Sequence, residues 1–199
     1  LAPPLSIILV RQGVFNESDT ISITKPLQLI GVLEGTVRPT ISTTRNCIEI
    51  DTDEKVLIKG LDLRNGLSKT VIDIRNGQVC IDECDISAAE DGISVTQTAS
   101  LMIQNCRIWG CQKAGLHCGG KDIRCVARNL HIYECTTGIA IFNEANPLIH
   151  SCNIMQCGIG LFVSEKGRGC ITDSVISANK KPGVLTHLCG NPILNNTKI

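Results

Sequence analysis

A glycine returns along this chain at an almost constant interval. Gly92, Gly115, Gly138, Gly160 and Gly183 stand 23, 23, 22 and 23 residues apart. Each is followed by an apolar–x–apolar pair: Ile93/Val95, Leu116/Cys118, Ile139/Ile141, Leu161/Val163 and the weaker Val184/Thr186. Further aliphatics recur in the same phase, Ile103, Val126, Ile149, Ile171 and Leu194 in one set and Ile86, Ile108, Ile132, Ile154, Ile176 and Ile199 in another. A fixed period of this length is the mark of a stacked repeat. Apolar and polar residues alternate within each unit, which is the period of a strand and not of a helix. The expected fold is all-β: a right-handed, single-stranded parallel β-helix of six or more coils, each of 22–23 residues. The hand follows from the strong right-handed preference of parallel crossovers.

Stacked coils turn sequence columns into ladders along the axis. Three stand out. One reads Leu61, Cys84, Cys106, Leu130, Cys152, Ser174, Thr197; a second reads Leu57, Cys80, Met102, Cys125, Leu148, Cys170, Ile193; a third, at a turn, reads Cys111, Cys135, Cys157, Asn179. All three are expected to face inward. The recurring glycine is expected at a bend, where it carries no Cβ penalty.

Residues 1–47 lack the strict period and read as the capping coil or coils that a solenoid end requires. Residues 48–199 are the repeats proper, and no linker divides the two. Residues 64–70 read as a polar connection. The chain has no initiator Met and stops in mid-coil, which reads as a fragment of a longer protein.

Composition narrows the function. Nineteen basic residues balance nineteen acidic ones, so the electrostatic footprint of a nucleic-acid binder is missing. No apolar run has the length of a membrane span. Twelve cysteines would suit a secreted disulfide framework. Here they occupy columns that other coils fill with Leu, Met, Ile or Ser, so the expectation is reduced core thiols in the cytoplasm or nucleus.

The end of the chain carries a resemblance. Asn146-Pro147, Gly167-Arg168-Gly169 and Asn191-Pro192 alternate coil by coil. The opening Ile8-Leu9-Val10-Arg11-Gln12-Gly13-Val14-Phe15 is followed by Pro26-Leu27-Gln28-Leu29-Ile30-Gly31. Both resemble the F-box-only proteins with parallel β-helix (PbH1/CASH-type) repeats, clearly over 139–199 and less so over 1–47. The resemblance implies the substrate-recognition domain of an SCF-type ubiquitin ligase, reaching a Skp1/cullin complex through an F-box outside this stretch. Related coils also occur in signalling or cytoskeletal adaptors and in polysaccharide lyases, hydrolases and epimerases.

The residues favour binding over catalysis. The best outward column is Asp62, Asp85, Arg107, His131, Asn153, with Glu83 and His150 beside it. Its acids do not form the repeated cluster that metal binding or proton abstraction requires. Cys80/Cys84 and Cys106/Cys111 lack the spacing of a zinc site. His117-Cys118 and His131/Cys135 read as chance neighbours, and Gly167-Arg168-Gly169 as a bend. No catalytic, cofactor or metal residue is assigned. The expected activity is a non-enzymatic protein-interaction module, with partner contacts at Arg107, His131 and Asn153 on the outward column and at Trp109 and Arg168 on turns. Trp and Arg are the side chains best able to anchor an interface.

Overall fold

A computed structural model of the chain describes residues 5–66, 69–87 and 90–199; Leu67 and Ser68 of the expected polar connection lie outside them. The described residues form twenty-five short strands and no helix. These make three parallel sheets, of nine, eight and eight strands, running the length of a right-handed solenoid of about eight coils. The first sheet extends from Ser6–Val10 to Ile193–Asn195, the second from Val14–Glu17 to Val175–Ser177, and the third from Ile21–Ile23 to Val184–Thr186. One coil visits them in turn: Ser100–Gln104, Arg107–Trp109, then Ala114–Gly119. Strands within residues 1–47 pair into the same three sheets.

The first and third sheets each send two columns of apolar side chains into the tube and the second sheet one, and each rung's column member sits on the next at roughly 4.8 Å. Ile58, Ile81 and Ile103 do so from the first sheet, Leu63, Ile86 and Ile108 from the second, Ile72, Ile93 and Leu116 from the third. All are essentially inaccessible to solvent.

The recurring glycine has a different cause from the expected bend. None of Gly92, Gly115, Gly138, Gly160 or Gly183 has a positive φ. They are required by close approach. A Cβ on Gly92 would lie 2.6 Å from the carbonyl oxygen of Gly115 on the next rung and 2.7 Å from Cγ2 of Ile108. The same two partners, the next glycine's carbonyl and an isoleucine methyl of the second sheet, close on Gly115, Gly138 and Gly160.

The bends are made elsewhere, by left-handed residues. Gly60, Glu83, Asn105, Asn129, Ser151, Asp173 and Asn196 form one column between the first and second sheets, with φ from 47° to 68°. Asn and Asp tolerate this region better than most residues. Their side chains also link rungs: Asn129 donates to Asn105 (3.2 Å) and Asn105 to Asp82 (2.9 Å). The residue after each corner points inward and carries the first ladder. Cys84, Cys106, Cys152, Ser174 and Thr197 each donate to the carbonyl two residues back, at 2.8–3.4 Å. A small donor is what the position wants, which explains why Cys, Ser and Thr exchange there. Cys111, Cys135 and Cys157 make the same contact after the second sheet.

The second ladder is corrected. Leu57, Cys80, Met102, Leu148, Cys170 and Ile193 face outward on the first sheet, not inward. Their partner on the remaining rung is Val126, not Cys125. Cys125 and Ala127 take the inward places, so Val126 does not belong to the aliphatic core column. In Val56-Leu57-Ile58 and Leu101-Met102-Ile103 both phases of the alternation are apolar, so the pattern does not say which side faces the core.

Gly138→Ala is expected to destabilise the protein by about 1–3 kcal/mol, the usual cost of overpacking, because it meets a core methyl of Ile154 and the backbone carbonyl of Gly160, which cannot turn aside. Gly66→Ala, where a Cβ meets open space, is expected to change little. Urea midpoints of the two variants measure the difference.

Candidate functional site

The second sheet carries most of the residues expected to meet a partner. Its outward column runs Asp62, Asp85, Arg107, His131, Asn153 in direct register, as the alternation with Leu63, Ile86 and Ile108 predicts. The next column runs Ser87, Trp109, Tyr133, Met155. Trp109 and Tyr133 lie on consecutive rungs and stack face to face, ring centroids 5.9 Å apart and planes within 4°. His131 meets Tyr133 edge-on at 6.3 Å, and the Asn153 amide lies 2.8 Å from His131 Nε2. Arg107, Trp109, His131 and Asn153 therefore form one surface. Tyr133 belongs to it and was missed, although it falls one coil after Trp109.

The two acids of this face are held by arginines. Asp85, 7% exposed, receives Arg107 through both oxygens, Nε to Oδ1 at 2.7 Å and Nη2 to Oδ2 at 2.5 Å. Arg38 Nη1 donates to Oδ2 from the other side at 3.0 Å. Asp62 is chelated in the same way by Arg64, at 3.0 Å to each oxygen from Nε. Hydrogen bonding to these carboxylates raises the pKa values of Arg107 and Arg64. Both acids are thus held in ion pairs.

Arg168 does not join this surface. It is exposed on the turn between the third and first sheets, where its N–H donates to the Ala145 carbonyl (2.8 Å). Arg168 thus stands on a turn as expected, but apart from the other four, while Trp109, also expected on a turn, ends the strand Arg107–Trp109. The length of each turn fixes which row its residues join, and sequence periodicity does not reveal that.

All twelve cysteines are free thiols and nine are buried. Burial pushes the Cys47 thiol up to about 12 and the Cys152 thiol up to about 11. A hydrogen bond with Cys111, helped by burial, pushes Cys135 up to about 12.

Residues 12–198 match the family described as periplasmic copper-binding protein (NosD). The chain belongs to the NosD family. Among solved structures, pectate lyase Pel9A superposes with a TM-score of 0.68 at 12% identity, over 87% of this NosD-family chain and 55% of the lyase. The pectin methylesterase from Aspergillus niger superposes with a TM-score of 0.69 at 17% identity, over 99% and 78%. The chain thus spans about half the length of the lyase. At such identities the likeness establishes the parallel β-helix and nothing finer. The resemblance to β-helix repeat proteins holds at that level.

Two expectations meet the family description. Placement in the cytoplasm or nucleus is overturned, since the NosD family is described as periplasmic. The expectation rested on thiol content, but the ladders explain the thiols without reference to compartment, because a buried SH is shielded whatever lies outside. Copper, which the family name implies, does not fit the residues present. Among the described residues no three His, Cys, Asp or Glu side chains are placed to hold an ion. Cys111, Cys135 and Cys157 come nearest by column, but they face the core and donate to main-chain carbonyls. Metal binding takes the thiolate, which hydrogen bonding within the column and burial disfavour at Cys135 and Cys157.

Thiol labelling of the native protein is expected to modify Cys189 quickly and Cys80 and Cys170 slowly, leaving the nine buried thiols until denaturation. Denatured without reductant, the protein should then titrate all twelve. Recovery of eight or fewer would mean that the ladders hold disulfides.

Proposed function

We propose that this NosD-family chain is a non-enzymatic protein-interaction module whose contact surface is the outward face of the second sheet. The observation that carries the reading is the Trp109–Tyr133 stack. Two large amphipathic rings lie half-buried on a rigid sheet, in the column beside Arg107 and His131. Aromatic and arginine side chains in a fixed setting are what interface hot spots are made of. The sheet beneath does not need to order itself on binding, which removes one cost of association.

Against catalysis on this face stand the Asp62 and Asp85 carboxylates, which their arginines occupy. A polysaccharide-processing activity remains the alternative from another class, favoured by the shared fold of the pectin enzymes. A finer alternative within the binding class is the substrate-recognition role in a ubiquitin ligase. Its support is the alternation of Asn-Pro and Gly-x-Gly coils over 139–199; the periplasmic description of the family weighs against it. An adaptor or scaffold role draws on the same surface.

The test is quantitative capture on immobilised protein, comparing wild type with Trp109→Ala/Tyr133→Ala. Loss of the stack is expected to weaken specific partners at least about tenfold, a hot-spot effect. Stability should fall by about 1–3 kcal/mol, the aromatic pair plus the apolar area the half-buried rings cover. Equal capture by both proteins would move the contact surface elsewhere. Release of unsaturated products or methanol from pectin, abolished by Asp85→Ala, would replace the binding reading with an enzymatic one.

A further inference from the structure

The first sheet presents a surface that the family and the fold neighbours do not account for. Its central outward column is apolar on seven successive rungs, from Leu57 to Ile193. Met102 is 43% exposed and Leu148 52%. Six rung steps make the stripe about 29 Å long and one side chain wide. Two shallow grooves lie along it, of about 630 Å³ beside Leu57, Met102 and Val126 and about 490 Å³ beside Val126 and Leu148. A solvent-facing sheet normally alternates to polar at this column, and an uninterrupted apolar line on the outside marks a contact surface.

The rims of the stripe are basic. Two residues before the stripe, the aligned row holds Lys55, Gln78, Ser100 and Arg124. Arg168, the residue that left the second-sheet site, falls into this row: it precedes the stripe's Cys170 by the same two residues that separate Arg124 from Val126. On the other rim stands Arg128, beside His150. Lys55, Arg124, Arg128 and Arg168 are all exposed, and none has an ion pair among the described residues. The one rim carboxylate, Asp82, is taken by Lys59 at 2.9 Å. Asp53 and Asp122, which share a hollow with Arg124, lie in turns outside the row.

We propose that this stripe binds an acidic amphipathic α-helix of a partner protein, lying along the solenoid axis. A helix offers one apolar residue per turn, every 5.4 Å or so, against one apolar rung about every 4.8 Å. Carboxylates flanking its apolar line would meet the unpaired cations on both rims. A second copy of this chain is a poorer occupant. Either way of laying two such faces together sets cation-bearing rims against each other. A lipid surface is also a poorer fit, since a stripe one residue wide between polar rows offers no broad apolar area and no aromatic belt. This surface is separate from the second-sheet face, so the two readings stand or fall independently.

The probe is a fluorescein-labelled helical peptide of about 18 residues, with leucines at i, i+3, i+4 and i+7 spacing and glutamates beside them, read by anisotropy. Controls are its scrambled form and a lysine-for-glutamate form. The acidic helix is expected to bind, more weakly as salt rises, and the two controls not to. Leu148→Glu, which stays on the outside of the fold, should cost at least about tenfold in affinity. Arg124→Glu with Arg168→Glu should cost as much and flatten the salt dependence, while Trp109→Ala should leave binding unchanged. The proposal is overturned if the acidic peptide does not bind, if either control binds as well, or if Leu148→Glu has no effect. It is equally overturned if sedimentation shows a dimer that Leu148→Glu dissolves, or if anionic vesicles bind the stripe and the peptide does not.

Discussion

The approach of one rung's backbone to the next governs this molecule. Parallel strands in register must sit at the hydrogen-bonding distance, and from Gly92 to Gly183 the chain entering the third sheet passes so close to its neighbour that only hydrogen fits on the α-carbon, whereas the earlier rungs hold Cys47 and Val71 at that place. The glycine column is therefore the most regular feature of the sequence, more regular than the hydrophobic columns, whose members range from Ala127 to Ile103 within one row. Side-chain volume can be traded between neighbours in a core. Backbone carbonyls at van der Waals contact cannot. Once the glycine fixes the spacing, every column of the coil is fixed with it.

The corners are the second constraint, and they explain the composition. A one-residue corner demands a left-handed residue, and the next residue then turns inward beside the carbonyl two places back. A hydroxyl or thiol can donate to that carbonyl, whereas Leu61 and Leu130 fill the space without a bond. Thiols do both jobs, being apolar enough for the core and still able to donate. The high cysteine content is a consequence of coil geometry. That same geometry is why it misleads as a guide to compartment and why the columns are poorly suited to holding copper.

What could be read in advance depended on whether the two phases of a strand differ. In the second sheet, Asp62, Asp85 and Arg107 alternate with Leu63, Ile86 and Ile108, and both the outward column and most of the contact surface were legible. In the first sheet, Val79-Cys80-Ile81 and Cys125-Val126-Ala127 are apolar in both phases. A reading that assumes apolar means inward places the stripe in the core and slips a rung at Cys125. The conflict is itself informative: an antiparallel or open face tolerates polar outward residues at no cost, so apolar ones on seven consecutive rungs call for a cause beyond folding. Arg168 stands on a turn as the sequence suggests, but the row it joins was not legible. Turn lengths between the third and first sheets vary from coil to coil, and only the structure counts them into register.

The two outer faces differ in how far their charges are already satisfied. On the second sheet, Arg107, Arg38 and Arg64 are spent on Asp85 and Asp62, so a partner gains little from them without first breaking a good pair. That face offers ring area and shape. On the first sheet the rim cations Lys55, Arg124, Arg128 and Arg168 have no ion pair among the described residues, and pairing them with a ligand's carboxylates breaks no ion pair within the protein. Exposed ion pairs add little affinity one at a time, but a row of like charges steers approach and selects sign. The apolar stripe between the rims supplies the area such charges lack. Stacked coils make this division of labour possible, because a single residue type repeated at one position of the coil becomes a continuous line, and each line can be set without disturbing the others.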